Sequence, residues 1–223
     1  MLIWHLQVSP EEAATIEEET RLQSRCAKWF EHRQWRLTAS TFGDILKATY
    51  KRDLTKLCRQ IFSPPVLHNA AVLRGVKFEK AAVQAFEENT GCKVEPCGLF
   101  VNVQYPFLAA SPDGVIGADS LIEIKCPYKA YNKEIDANAL FPYLSRNPVT
   151  GKPCLKHNSK YYFQIQGQLG VTGRKLCFFV VYTVHDMFVE EIAFDSTYWE
   201  VCMVPRLQLF YERHFRRYIS STL

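Results

Sequence analysis

The chain has 223 residues, 48% of them hydrophobic and 22% charged, with a formal net charge of +4; this suits one α/β domain with a full core and is ordinary for a soluble globular protein. The weakly basic balance permits a nucleic-acid partner without pointing to one, and the longest apolar run, Leu176 to Val184, is too short to span a bilayer. Eight Cys without paired C-x-x-C sets, and no secretory signal, argue against a zinc ribbon and for free thiols in a reducing, intracellular compartment.

Ser9-Pro10-Glu11-Glu12 opens the first helix with a cap residue, Pro at the first helical position and a capping-box Glu. That helix is acidic to Glu19, then basic and aromatic through Arg25, Lys28, Trp29 and Phe30. Its front half is expected in solvent and its back half docked. Thr38 or Ser40 caps a short helix reaching about Thr49, and Asp53 to Phe62 forms another, ended by Ser63-Pro64-Pro65. Asn69 to Thr90 is the clearest long helix, closed by Gly91. Val72, Val76, Val83 and Phe86 mark its apolar stripe, and Glu79 falls on that stripe. A carboxylate there is costly to bury unless it is paired or faces a cation. The alternative is a position at the stripe's edge, against Lys77, Lys80 or solvent.

Lys93 to Val103 and Phe107 to Ile116 are strand-like, and Leu121 to Cys126 is a third strand stopped by Pro127. Tyr131 to Leu144 is expected to be helical and Asn147 to Lys156 a loop, in which Cys154-x-x-His157 lacks a second metal half-site. Asn158 or Ser159 caps a helix that runs to Thr172, is ended by Gly173, and carries Gln164, Gln166 and Gln168 among apolar residues. Lys175 to Val184 and Phe188 to Phe194 form a strand pair. Thr197 to Ile219 is a closing amphipathic helix, interrupted near Pro205, with a basic end in Arg213, Arg216 and Arg217. This order predicts a single domain with a mixed central sheet and helices on both sides. Its expected parts are an N-terminal helical extension over 1–28, a core over 29–195 and a C-terminal helix over 196–223.

The chemistry concentrates in Ser111 to Tyr128, SPDGVIGADSLIEIKCPY. Ser111-Pro112-Asp113-Gly114 has turn chemistry, and Leu121 to Lys125 alternates as a strand does. If Ile122 and Ile124 face a core, Glu123 and Lys125 share the opposite face. Asp113 and Glu123 then offer two hard oxygen ligands and the main-chain carbonyl of Ile124 a third, a set that suits Mg²⁺ with positions left for water and phosphate. Lys125 can orient or deprotonate an attacking water, or offset charge growing on phosphorus. Against this stands a surface strand bearing a Glu–Lys pair beside an unrelated turn Asp.

The stretch matches the PD-(D/E)xK nuclease motif, and AASPDGVIGADSLIEIKCPY resembles the lambda exonuclease, or YqaJ-like viral recombinase, family. Three further stretches agree in order: Gly75-Val76-Lys77-Phe78-Glu79 with G-x-x-x-E, Phe163-Gln164-Ile165-Gln166 with the Q-x-Q helix, and Trp29 to Ser40 with W…R…T-A-S. The resemblance implies a restriction-endonuclease-like fold in which Asp113 and Glu123 bind metal, Lys125 is the catalytic lysine, and Glu79 is a further acid near the metals. It implies one or two Mg²⁺ ions, with Mn²⁺ as a substitute. A pocket for a DNA 5′-phosphate maps to Arg33, Ser40, Ser111 and Gln164. Arg33 also reads as a solvated helix charge and Ser40 as a helix cap. The family often has Gly where this chain has Trp35, so Arg36 competes with Arg33, and Gln166 or Gln168 with Gln164.

The implied activity is 5′→3′ exonucleolytic hydrolysis at double-stranded DNA ends, in recombination or end processing. An endonuclease or nickase of the same fold, and a non-catalytic DNA-end-binding protein, are the alternatives. The resemblance further suggests a trimer, with a single-strand annealing protein as a candidate partner; the short apolar run argues against a membrane, and a eukaryotic source would place the protein in the nucleus.

Overall fold

A computed structural model describes residues 6–64 and 70–222, with side chains outside 70–77. Helix α1 (Pro10–Glu19) starts as its sequence dictates: Glu12 N donates to Ser9 Oγ, and Ser9 N to the Glu12 carboxylate. The expected continuation to Phe30 is broken at Thr20. Its hydroxyl donates to Ile16 O at 2.6 Å and accepts from Leu99 N at 2.7 Å, so it serves a tertiary tie and ends the helix. Gln23 then takes a left-handed φ of 45°, and a 3₁₀ turn (Gln23–Arg25) leads to α2 (Ala27–Gln34). Next come β1 (Leu37–Thr38), α3 (Ala39–Leu46), α4 (Leu54–Phe62, capped by Asp53) and α5 (Ala70–Thr90). The expected start of α5 at Asn69, and the side chains of Val72, Val76 and Lys77, lie outside what the structure describes.

The expected strands from Lys93 to Ile116 are shorter and divided between two sheets. Chain β2 (Phe100–Val101) is antiparallel to β3 (Leu108–Ala110), which runs parallel to β1. Ser111-Pro112-Asp113 then carries the chain out of that sheet and into β4 (Gly114–Ile116). This strand opens the order β4-β5-β8-β9, with β5 (Ser120–Lys125), β8 (Leu176–Tyr182) and β9 (Met187–Ala193). The β5–β8 pair is parallel and its two neighbours are antiparallel, so the sheet is mixed.

Tyr131 to Leu144 is not helical. Asp136 and Asn138 accept from the main-chain N–H of Ala137 and Leu140, local turn bonds that compete with a helix. The region expected as a loop holds a hairpin of β6 (Leu144–Arg146) and β7 (Pro153–Leu155), turned by Asn147 and by Gly151 at φ 68°.

Both faces of the mixed sheet are covered. Ile122, Ile124 and Val180 pack with Ala82 and Phe86 of α5. On the other face Leu121, Phe179 and Val181 meet Ile165 and Leu169 of α6 (Lys160–Thr172). Each such fully buried side chain contributes about 1.5–3 kcal/mol of burial free energy. Ser159 caps α6, and Gly173 closes it in the left-handed region. Helix α6 is held close to α3: a Cβ at Gly167 would lie 2.3 Å from the Phe42 ring, and one at Gly43 2.8 Å from Lys160 Cα. The interruption expected near Pro205 is instead a widening. A π-helical run (Tyr198–Met203) precedes α7 (Val204–Phe210), whose first turn accepts the proline, and a second π run leads to α8 (Arg216–Thr222). No described helix is long and apolar enough to cross a membrane.

Candidate active site

The β4–β5 register sets Gly114 opposite Ile122, which brings Asp113 to the strand carrying E-x-K. Asp113 N donates to Ile122 O at 3.2 Å, and Asp113 Oδ2 accepts from Ile124 N at 2.6 Å. The turn before it is anchored from the N-terminal segment. Gln23 donates to Pro112 O at 2.9 Å and to Cys97 O at 3.0 Å, and Trp29 Nε1 donates to Ser111 Oγ at 2.9 Å. Gln23 thus fixes two loops with one amide, which accounts for a backbone conformation that non-glycine residues rarely adopt.

Glu123 is 2% exposed, and three donors converge on its carboxylate. Lys125 Nζ and Gln164 Nε2, the latter at 2.7 Å, reach Oε1, while Gln168 Nε2 reaches Oε2 at 2.5 Å. Gln164 and Gln168 are one helical turn apart, so they share a face of α6. Gln166 points elsewhere: it donates to Ala193 O and accepts from Asp195 N, joining α6 to the end of β9. The i, i+4 spacing of Gln164 and Gln168 was the available sequence signal for this pair.

Charges crowd here. Burial, and then the Glu123 carboxylate, push the Asp113 carboxyl well above the usual range. Glu79 faces solvent from α5, yet partial desolvation and Glu123 raise its carboxyl too, with Lys125 opposing. Desolvation alone would lower Lys125, but Glu123 and Asp113 outweigh it and keep the side chain an ammonium. The Lys125 Nζ also lies 4.8 Å from the Tyr161 ring centroid, a cation–π contact that the sequence reading did not anticipate.

Three carboxylates, Asp113, Glu123 and Glu79, therefore face one lysine. Among the described residues no group of three His, Cys, Asp or Glu side chains closes around one point. The donor set nevertheless fits a hard divalent cation: Asp113 and Glu123 offer carboxylate oxygens, one lysine faces three acids, and Mg²⁺ needs few protein ligands. A cation there would relieve the same crowding that raises Asp113.

The terminal-phosphate candidates divide by what they touch. The Arg33 guanidinium lies 3.9 Å from the Trp29 ring centroid, and burial lowers its pKa to about 10, still cationic at neutral pH. Through Trp29 it connects to Ser111. Among the described residues no carboxylate pairs with it. Ser40 is exposed at the start of α3, its hydroxyl 3.2 Å from Thr38 Oγ1. The parallel β1–β3 register brings the chain beyond Thr38 and the chain beyond Ala110 out at the same end of the small sheet, so Ser40 and Ser111 leave it together. Arg36 is 3% exposed and spends its donors on the carbonyls of Pro106, His32 and Leu6. It ties segments together, whereas Arg33 has donors to offer.

The YqaJ-like viral recombinase domain family matches residues 28–175. Uncharacterized protein R354 of Acanthamoeba polyphaga mimivirus is 24% identical over 178 residues, 74% of this chain; the chain spans only 30% of that relative's length. Among solved structures, the alkaline exonuclease LHK-Exo of Laribacter hongkongensis is 27% identical with a TM-score of 0.67, covering 87% of this chain and 95% of its own. The Shutoff and Exonuclease Protein of Kaposi's sarcoma-associated herpesvirus has the same fold at 11% identity, with a TM-score of 0.60 over 94% of this chain and 73% of its own. With two thirds of its length matched, and with Asp113, Glu123 and Lys125 drawn together on one sheet, this chain belongs to the YqaJ-like viral recombinase domain family.

Proposed function

We propose that the chain is a Mg²⁺-dependent DNA exonuclease of restriction-endonuclease-like fold, hydrolysing phosphodiester bonds from the 5′ ends of duplex DNA. One observation carries this reading: the Asp113–Ile124 hydrogen bond sets a carboxylate beside the strand face that bears Glu123 and Lys125. The likeness to LHK-Exo, an alkaline exonuclease also crystallised with dAMP, supports a DNA substrate.

Asp113, Glu123 and the Ile124 carbonyl would hold the cation, with Mn²⁺ as a substitute. Bound there, it would supply Lewis-acid polarisation of a phosphoryl oxygen and a more acidic water. Lys125, an ammonium, donates to the attacking water or to a phosphoryl oxygen and offsets the negative charge that grows on phosphorus. Glu79, open to solvent, can accept a proton or hold a water at the mouth. Arg33, Ser111, Ser40 and the second amide N–H of Gln164 would cradle the terminal phosphate, so that the first phosphodiester meets the acids. In-line attack then forms one P–O bond as the scissile P–O bond breaks, releasing a mononucleotide and extending a 3′ single strand.

The test uses linear duplex with and without a 5′-phosphate, beside closed circular duplex, in Mg²⁺ and in chelator. Progressive Mg²⁺-dependent loss of linear DNA, faster with the 5′-phosphate and abolished in Asp113→Ala, is the expected result. Cleavage of the circle would identify an endonuclease instead. Binding of ends without hydrolysis in any metal would leave only an end-binding protein.

A further inference from the structure

Gln168 has no part in the reading above, yet it is the most enclosed of the groups around Glu123. It is 1% exposed, it donates to Glu123 Oε2 at 2.5 Å, and its own Oε1 is buried with no hydrogen-bond partner among the described residues. A Leu or Met of similar volume would fill this place without stranding an acceptor, so the amide is present for its N–H. Its orientation is fixed as well, because the flipped amide would set Oε1 against a carboxylate oxygen.

The two oxygens of Glu123 are not held alike. Oε1 receives both Lys125 and Gln164, whereas among the described residues only Gln168 donates to Oε2. Gln164 is half-buried, within reach of an arriving DNA end; Gln168 is sealed beneath it. We infer that Gln168 is a positioning residue that fixes the carboxylate plane of Glu123 for metal binding before DNA arrives, which leaves Gln164 to divide its two N–H groups between Glu123 and the DNA terminus. Outer partners of this kind orient metal ligands, and their loss weakens metal binding by roughly 10–100-fold. This inference rests on the nuclease reading.

The experiment measures free Mn²⁺ by electron paramagnetic resonance during titration of the protein without DNA. It also measures kcat and KM on 5′-phosphorylated linear duplex across Mn²⁺ concentrations. Gln168→Met is expected to weaken Mn²⁺ binding by about 10-fold or more. Its kcat should fall at low Mn²⁺ and recover at high Mn²⁺, with KM for DNA unchanged. Gln164→Met should instead raise KM for the phosphorylated end. Gln168→Asn, which keeps the amide but withdraws it by one methylene, carries the same expectation if the Met variant does not fold. Wild-type Mn²⁺ affinity in folded Gln168→Met or Gln168→Asn overturns the role of Gln168. If the wild type itself neither binds Mn²⁺ nor cleaves DNA, the nuclease reading falls and takes this inference with it. If Asp113→Ala loses Mn²⁺ while the Gln168 variants keep it, only the inference fails.

Discussion

Ile122 and Glu123 are neighbours on opposite faces of strand β5, both enclosed and chemically opposite. Ile122 is fully buried against Phe86 of α5, and Glu123, the next residue, is 2% exposed against the glutamines of α6. The apolar face is held by area removed from water, a force without direction that accepts any side chain of suitable size. On the other face Leu121 packs against Ile165 and Leu169, while the Glu123 carboxylate is held by directed donors, Lys125, Gln164 and Gln168, each of which must be in place. The apolar side chains therefore stabilise the fold without directional demands, whereas a buried carboxylate is tolerated only with its donors in place. Substitutions on the two faces should separate activity from stability.

The largest expected effect is at Asp113. Asp113→Asn should lower Mg²⁺-dependent hydrolysis by about 10³-fold or more. Because it removes one of three crowded acids, its melting temperature should stay level or rise; a marked fall would show Asp113 to be a structural group. On the apolar face Phe86→Ala should do the converse. Urea unfolding should report a loss of roughly 3–5 kcal/mol, while kcat per folded molecule stays near wild type.

The two arginines sharpen the same contrast away from the strand. Arg33→Met should leave stability unchanged and erase roughly 10-fold of the preference for 5′-phosphorylated over dephosphorylated ends, measured as KM. Arg36→Met strands three carbonyls, so chemical denaturation should show a loss of about 1–3 kcal/mol with end preference intact. Gln23→Ala is the mildest. It should lower stability by about 1 kcal/mol and reduce kcat several-fold, because the Pro112–Asp113 turn loses an anchor; unchanged kcat would mean that the other turn contacts suffice.

Much of this was legible in the sequence where the signal is local. The Ser9 cap, the helix from Asp53 to Phe62, the Ser159-to-Gly173 limits of α6 and the alternation from Leu121 to Lys125 each depend on residues within a few positions of one another. The choice between Arg33 and Arg36 was not, since it depends on which guanidinium the carbonyls of Leu6 and Pro106 reach, the latter 70 positions away. The break at Thr20 was hidden for the same reason, because its hydroxyl answers Leu99. Tyr131 to Leu144 was expected to be helical, but Asp136 and Asn138 accept from nearby main-chain N–H groups instead.

The most direct test of the central claim is a paired measurement on Glu123→Gln: nucleotide release from 5′-labelled linear duplex in Mg²⁺, and thermal unfolding of the same preparation. The account predicts that hydrolysis is lost by about 10³-fold, with a melting temperature below that of the wild type, because an amide N–H in place of a carboxylate oxygen meets the donors of Lys125, Gln164 or Gln168. Hydrolysis at the wild-type rate by folded Glu123→Gln would contradict it.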